Sequence, residues 1–170
     1  MIFWLYGRSG AGKTTLATKL ESTLRAMGKQ SFLLDGDELR AGICNDLGFG
    51  EDSRNENHRR AAEIAKLMAK RDIIVVVATM APQRIQRDII QSIIGNETQW
   101  IYIDAPIEVC AARDPKGLYA KADQGKVKQF REFPFELPSG EEFDLHLITT
   151  NSSIDSSFAQ LLTFAEQQLT

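Results

Sequence analysis

Cysteine is scarce in this sequence. Cys44 and Cys110 are the only two, far apart and outside any metal-ligand spacing, with no carboxylate or cation pattern that would activate a thiol. They read as buried or inert thiols. With no signal-peptide pattern at the amino terminus, they give the expectation of a reducing, cytoplasmic setting. Histidine is equally scarce: His58 and His146 stand alone, neither with a partner at metal or relay spacing. Long hydrophobic runs are missing too. The first, Ile2 to Tyr6, is too short for a signal core or a membrane span. No block of one charge sign occurs, and the net charge of −3 argues against a general nucleic-acid or membrane-surface binder, so any anion site must be local. There is no internal repeat and no low-complexity tract. The 170 residues are therefore expected to form one domain, 1–170, large enough for a core without disulfides or metal staples.

What is present is an alternation. Ile2–Tyr6, Ser31–Leu34, Ile73–Ala78, Gln99–Ile103 and Leu145–Thr149 read as strands, and the first, third and last are nearly continuous apolar runs, as expected when helices cover both faces. Between them lie helical stretches at Lys13–Met27, Ser53–Lys70, Pro82–Ile94, Pro106–Ala112 and Ile154–Leu169. Ser53 with Glu56 three residues on has the pattern of a capping box. Trp4, Trp100 and Tyr102 fall in strand runs and are read as core. Strands alternating with helices mean parallel pairing and right-handed crossovers, so the expected architecture is a three-layer α/β/α sandwich around a five-stranded parallel sheet. Residues 114–140 show no clear period but hold three prolines, three glycines and many lysines, the composition of a mobile lid.

Gly7-Arg8-Ser9-Gly10-Ala11-Gly12-Lys13-Thr14 fits G-x-x-x-x-G-K-[ST] between a strand and an amphipathic helix. Glycines let the backbone curl so that N–H groups point at phosphate oxygens, and the helix start adds its positive dipole end. In such a loop Gly7, Ser9, Gly10, Ala11, Gly12 and Thr15 line the phosphates, Lys13 bridges the β- and γ-phosphates, and Thr14 gives one oxygen to Mg²⁺. A loop of this kind signals a nucleoside triphosphate but is silent on the fate of the γ-phosphate.

An acidic residue is expected at the end of a neighbouring strand. The run Ile73–Ala78 ends in Thr79 and Met80, so the candidates are Asp35 and Asp37 after the second strand, with Asp104 a weaker one on the same rim. Asp37 also fits the N-cap of a short helix starting at Glu38, and the two roles are compatible. Beyond it come Arg40, then Asp46-Leu47-Gly48-Phe49, then Arg54-Asn55-Glu56-Asn57-His58-Arg59-Arg60. Arginine forks suit phosphate or sulfate oxygens, and an adjacent Phe suits a flat ring. On charge alone, residues 51–60 fit a solvated helix start equally well.

The order of these pieces resembles the successive motifs of adenylylsulfate kinases, and Arg113-Asp114-Pro115-Lys116-Gly117-Leu118-Tyr119 resembles that family's lid signature. The likeness runs from about Phe3 to Phe130. It implies a P-loop kinase fold with a basic lid, and transfer of a phosphoryl group from Mg·ATP to the ribose 3′-hydroxyl of adenylylsulfate. Carried over by motif, Arg40, Arg54 and Asn57 hold the phosphosulfate, and Phe49 and Phe130 clamp the adenine. Asp37 orients or deprotonates the hydroxyl, and Asp35 sits beside the metal or shares that role. Arg113 goes to the nucleotide, and Lys116, Gly117 and Leu118 to the acceptor. Residues 113–131 carry a net +4, suited to closing over a polyphosphate; a plain basic surface loop has the same composition. Relatives suggest a homodimer. Three stretches depart from the family: Arg8 where members have Leu, Met80-Ala81-Pro82-Gln83 where they tend to read Ile-Ser-Pro-Tyr, and Arg131–Glu136. These keep two alternatives open, a kinase for another small hydroxyl compound and a nucleotide-binding regulatory module. The set Asp37, Arg40, Phe49, Arg54 and Asn57 stands against the second.

Overall fold

The computed structural model describes residues 1–115, 117–124 and 134–169. The elements run β1 (Ile2–Tyr6), α1 (Lys13–Ala26), β2 (Ser31–Asp35), α2 (Gly36–Ala41), α3 (Glu51–Ala69), β3 (Ile74–Ala78), α4 (Arg84–Ile94), β4 (Thr98–Asp104), α5 (Ile107–Arg113), α6 (Leu118–Asp123), β5 (Leu145–Ile148) and α7 (Ile154–Gln168). All five strands pair in parallel in the order β2-β3-β1-β4-β5. β1 and β3 are buried throughout, which is why their sequences are unbroken apolar runs. Side chains alternate across the sheet. Phe3, Leu5, Val76, Ile101 and Leu147 pack under α1 and α7, while Ile2, Trp4, Tyr6, Val75 and Val77 pack under α3 and α4. Ala61, Ala62, Ala65 and Ala69 give α3 a small-residue face that lets it lie close to the sheet.

The register aligns the strand ends that matter. Asp35 pairs beside Ala78, Leu5 beside Ala78 on the other side, and Tyr6 beside Tyr102. The loops after β2, β3 and β1 therefore lie side by side on one rim, the position where ligands of open parallel sheets bind.

Four local expectations need correction. The Ser53–Glu56 capping box does not form, because α3 starts earlier, at Glu51 after an extended Gly50. Glu51 and Asp52 already complement the helix dipole, and Glu56 binds Arg59 and Arg60 instead. The reciprocal box is at α4, between Gln83 and Gln86. Asp37 is not an N-cap: Asp35 caps α2 by accepting from the Asp37 N–H at 2.8 Å. β5 is not covered on both faces, since it is the sheet edge and His146 and Ile148 are exposed. Within the aperiodic stretch 114–140 there is a short helix, α6, held at its start by the Asp114 carboxylate, which accepts from the N–H groups of Tyr119 and Ala120.

Candidate functional site: a phosphate cradle beside a two-arginine pocket

The loop between β1 and α1 passes through Gly7 (φ +150°), Gly10 (φ +81°) and Gly12 (φ +104°). At two of these glycine is also required by space: a Cβ on Gly7 would lie 2.2 Å from the Ile103 carbonyl oxygen, and one on Gly10 2.7 Å from that of Cys110. Four successive carbonyls of the loop are taken by side chains. Lys13 Nζ donates to Arg8 O (2.7 Å), the Tyr119 hydroxyl to Ser9 O (2.9 Å), Arg113 to Gly10 O (3.3 Å) and the Thr149 hydroxyl to Ala11 O (2.9 Å). With these oxygens latched on the protein side, the first-turn N–H groups of α1, which have no carbonyl within the helix to bond, complete an anion cradle. Ser9 and Ala11 are buried in it, whereas Thr14 and Thr15 open to solvent at the start of α1.

Thr14 donates its hydroxyl to Asp35 Oδ2 at 2.8 Å, while Asp35 Oδ1 accepts from the Asp37 N–H. Asp35 is thus buried and fixed through both oxygens, and Asp37, two residues further on, is exposed on the rim. A hydroxyl and a carboxylate oxygen side by side are hard donors that suit Mg²⁺, which keeps most of its shell for phosphate and water. Among the described residues no three His, Cys, Asp or Glu gather as a metal cluster, and a Mg²⁺ held in this way needs none.

The residues expected on the acceptor side come from α2, α3 and the loop between them. Arg40, on α2, donates to Gly48 O (2.9 Å), and its guanidinium lies 4.5 Å from the centre of the Phe49 ring. Arg54, on α3, donates to Phe49 O (2.7 Å). The Phe49 ring is therefore held by its backbone and one face, and it remains 54% exposed, an open flat surface. Burial pulls the Arg40 guanidinium below its ordinary value, with Cys44 and Asp37 opposing. Burial does the same to Arg54, helped by the nearby Arg40 charge. Two like charges brought into reach of each other favour an anion between them. Asn57 is buried nearby on α3, and its Oδ1 lacks a hydrogen-bond partner among the described residues. An unsatisfied buried acceptor is costly, so a donor from a bound molecule would be welcome there.

Not every expected site residue falls in this picture. Arg113 turns to the back of the phosphate loop, bonding Gly10 O and Thr149 O (2.7 Å). Gly117 (φ +61°) opens α6 and Leu118 is its first residue. Lys116 and Phe130, and with them most of the lid cations, lie outside the described residues. Other participants were not visible to sequence reasoning. Tyr119 and Thr149 latch loop carbonyls from 110 and 138 residues away. His58 is not an isolated imidazole: it is buried, its Nδ1 is 2.7 Å from Arg54 O, and burial beside Arg40 and Arg54 pushes its pKa down to about 4. His146 is paired as well, 3.0 Å from Asp104 Oδ2, while the Tyr102 hydroxyl donates to Asp104 Oδ1 at 3.0 Å. That occupies the weaker acid candidate on the rim. Cys44 and Cys110 are buried, and burial raises the Cys110 thiol.

Comparison with known proteins gives the family. The family model for adenylylsulphate kinase matches residues 1–147. The adenylyl-sulfate kinase of Aeromonas hydrophila is 42% identical over 164 residues, covering 96% of this chain and 83% of its own. That of Vibrio cholerae is 43% identical, covering 95% and 75%. Among solved structures, the Mycobacterium tuberculosis APS kinase in complex with AMPPNP and APS superimposes with a TM-score of 0.89 at 34% identity, covering 97% of this chain and 96% of that one. By family model, by relatives and by fold, this chain belongs to the adenylylsulphate kinases.

Proposed function

We propose that this chain transfers the γ-phosphoryl group of Mg·ATP to the 3′-hydroxyl of adenylylsulfate, giving 3′-phosphoadenylylsulfate. The observation that carries this is the Asp35-Gly36-Asp37 turn, which ties the two halves of the site together: Asp35 is bonded to Thr14 in the phosphate loop, and Asp37 stands at the head of the helix that carries Arg40. Lys13 and the loop amides hold the β- and γ-phosphate oxygens and match the charge that spreads over them during transfer. Thr14 and Asp35 would hold the Mg²⁺, which would offset phosphate charge. Arg40 and Arg54 grip the phosphosulfate, Asn57 accepts from the acceptor, and Phe49 stacks on its adenine. Asp37 orients the 3′-hydroxyl and takes its proton as the new O–P bond forms and the bond to the β-phosphate oxygen breaks, its electron pair leaving with ADP. Asp35, with both oxygens engaged, is left to the metal.

Basic residues of the 113–131 segment close over the phosphates in this scheme, and the enzyme works as a cytoplasmic homodimer within a single domain. Among the described residues no helix is long and apolar enough to cross a membrane. The test is a coupled ADP-release assay with adenylylsulfate, AMP and a panel of small hydroxyl compounds. Release dependent on adenylylsulfate supports the proposal. Silence with millimolar adenylylsulfate, together with turnover of another compound, replaces the acceptor.

A further inference from the structure

Arg8, the second residue of the phosphate loop, is a cation whose side chain meets Phe135 and Tyr102. The guanidinium lies 4.9 Å from the centre of the Phe135 ring. Phe135 in turn stacks on Tyr102 (6.0 Å, 13° between planes), which also stacks on His146 (5.1 Å, 16°). The arm that carries Phe135 is pinned next to it: Glu136 N–H donates to Pro82 O at 2.8 Å, and the Glu136 carboxylate accepts from the Arg84 N–H at 2.7 Å, at the start of α4.

Pro82 belongs to the loop after β3, and β3 lies between β2 and β1 in the sheet. This loop is therefore the floor between the acceptor side, which follows β2, and the donor side, which follows β1. It touches both. Met80 O accepts from the Gly7 N–H at 3.3 Å, and Gly36, at the head of α2, comes so close that a Cβ on it would lie 3.3 Å from Ala78 O. Ala81, buried in the middle of the floor, has a left-handed φ of +38°, a conformation an alanine holds only when its surroundings impose it. Arg87, almost fully buried, donates to Ala81 O at 3.1 Å from one side. The arm with Phe135 and Glu136 bonds the next residue, Pro82.

We propose that Arg8 is a positioning residue for the acceptor. By holding Phe135 against the phosphate loop it keeps the 134–136 arm seated on Pro82 and α4, and so fixes the floor on which the acceptor binds. The inference rests on the adenylylsulfate reading for the identity of the acceptor, but not for the contact itself. It gives the cation a role on the acceptor side rather than on the nucleotide.

Steady-state kinetics of Arg8→Leu, Arg8→Lys, Phe135→Leu and the Arg8→Leu/Phe135→Leu double variant test it. Arg8→Leu should raise the acceptor KM about five-fold while the ATP KM and kcat stay within about two-fold, the signature of lost uniform binding on one substrate. Arg8→Lys, which keeps a cation over the ring, should recover most of the affinity. Phe135→Leu should reproduce the Arg8→Leu defect, and the double variant should be no worse than the larger single. The same cycle read by thermal unfolding, without turnover, should show the same non-additivity. A rise in ATP KM or a fall in kcat with unchanged acceptor KM would mean that Arg8 acts on the phosphates, and the proposal fails. Defects that multiply in the double variant, or coupling in unfolding with no change in acceptor KM, overturn it as well. Wild-type protein that does not turn over adenylylsulfate sinks the functional reading instead; wild-type turnover with an unshifted acceptor KM in Arg8→Leu sinks only this inference.

Discussion

On the proposed function, the donor and acceptor halves of this site lie side by side on one rim and are built from different materials. The donor half is made of backbone. Three glycines at positive φ curl one loop, and side chains from α1, α5, α6 and the end of β5 serve mainly to tie its carbonyls back. The acceptor half is made of side chains: two guanidinium groups, an open aromatic ring and a buried amide, positioned by contacts within residues 40–58. A backbone cradle accepts few substitutions. A side-chain pocket can be retuned one residue at a time, so substrate identity belongs to the second half and phosphoryl chemistry to the first.

The largest effect that would sharpen this contrast is expected from Lys13→Ala. Lys13 Nζ donates to Arg8 O in this structure, and on the proposed function its charge matches that of the transferred group, so kcat should fall by roughly three or more orders of magnitude with melting temperature nearly unchanged. Near-normal turnover in the folded variant would break the assignment of the loop. Gly7→Ala should act on stability instead. Its Cβ would sit 2.2 Å from a backbone oxygen that cannot swing away, at an unfavourable φ, and the cost should be about 3 kcal/mol, read as a drop in melting temperature of roughly 6–12 °C. A variant as stable as the parent would show that the loop is softer than its packing implies.

On the acceptor half, His58 gives the next test. Its folded pKa, about 4, lies below the ordinary 6.5, so the neutral form is the one that fits. The stability it contributes is complete above about pH 6.5, declines as pH falls, and levels off below about 4. Over that window the loss is on the order of 3 kcal/mol. The Glu56 carboxylate, held at about 2 by hydrogen bonds from Arg59 and then Arg60, adds its own loss only below about pH 4.5. Urea unfolding of His58→Leu should thus be flatter than wild type between pH 6.5 and 4.5, and equal slopes would remove His58 from the account. The smallest effect is expected from Phe49→Ala, which should weaken acceptor binding by about 2 kcal/mol with ATP affinity unchanged. If melting temperature falls instead while acceptor KM holds, the ring is packing rather than a stacking surface.

The two halves also differed in how far the sequence revealed them. The phosphate loop is eight contiguous residues whose composition is dictated by local backbone geometry, so Gly7 to Thr14 could be read directly. The sheet was equally legible, because buried parallel strands leave continuous apolar runs such as Ile74–Ala78. Arg40, Phe49, Arg54 and Asn57 stand out only through the order of short motifs, and the structure brings Arg40 and Arg54 onto Phe49. What escaped were partners distant in sequence. Tyr119 and Thr149 look like ordinary lid and strand residues until the fold lays them on the carbonyls of Ser9 and Ala11. His146 seemed alone because its partner Asp104 is 42 residues away on the neighbouring strand. The misplaced start of α3 has a different cause: Ser53 and Glu56 satisfy a local pattern, but Gly50, Glu51 and Asp52 begin the helix sooner and the glutamate finds two arginines on its own face.

The separation of the two halves is tested most directly by equilibrium calorimetry on the Arg40→Ala/Arg54→Ala double variant, titrated once with a non-hydrolysable ATP analogue and once with adenylylsulfate. Loss of two charge-assisted grips should weaken adenylylsulfate by at least about a hundred-fold, while the ATP analogue binds within about two-fold of wild type. Unchanged adenylylsulfate binding, or loss of both ligands in a folded protein, would contradict the account.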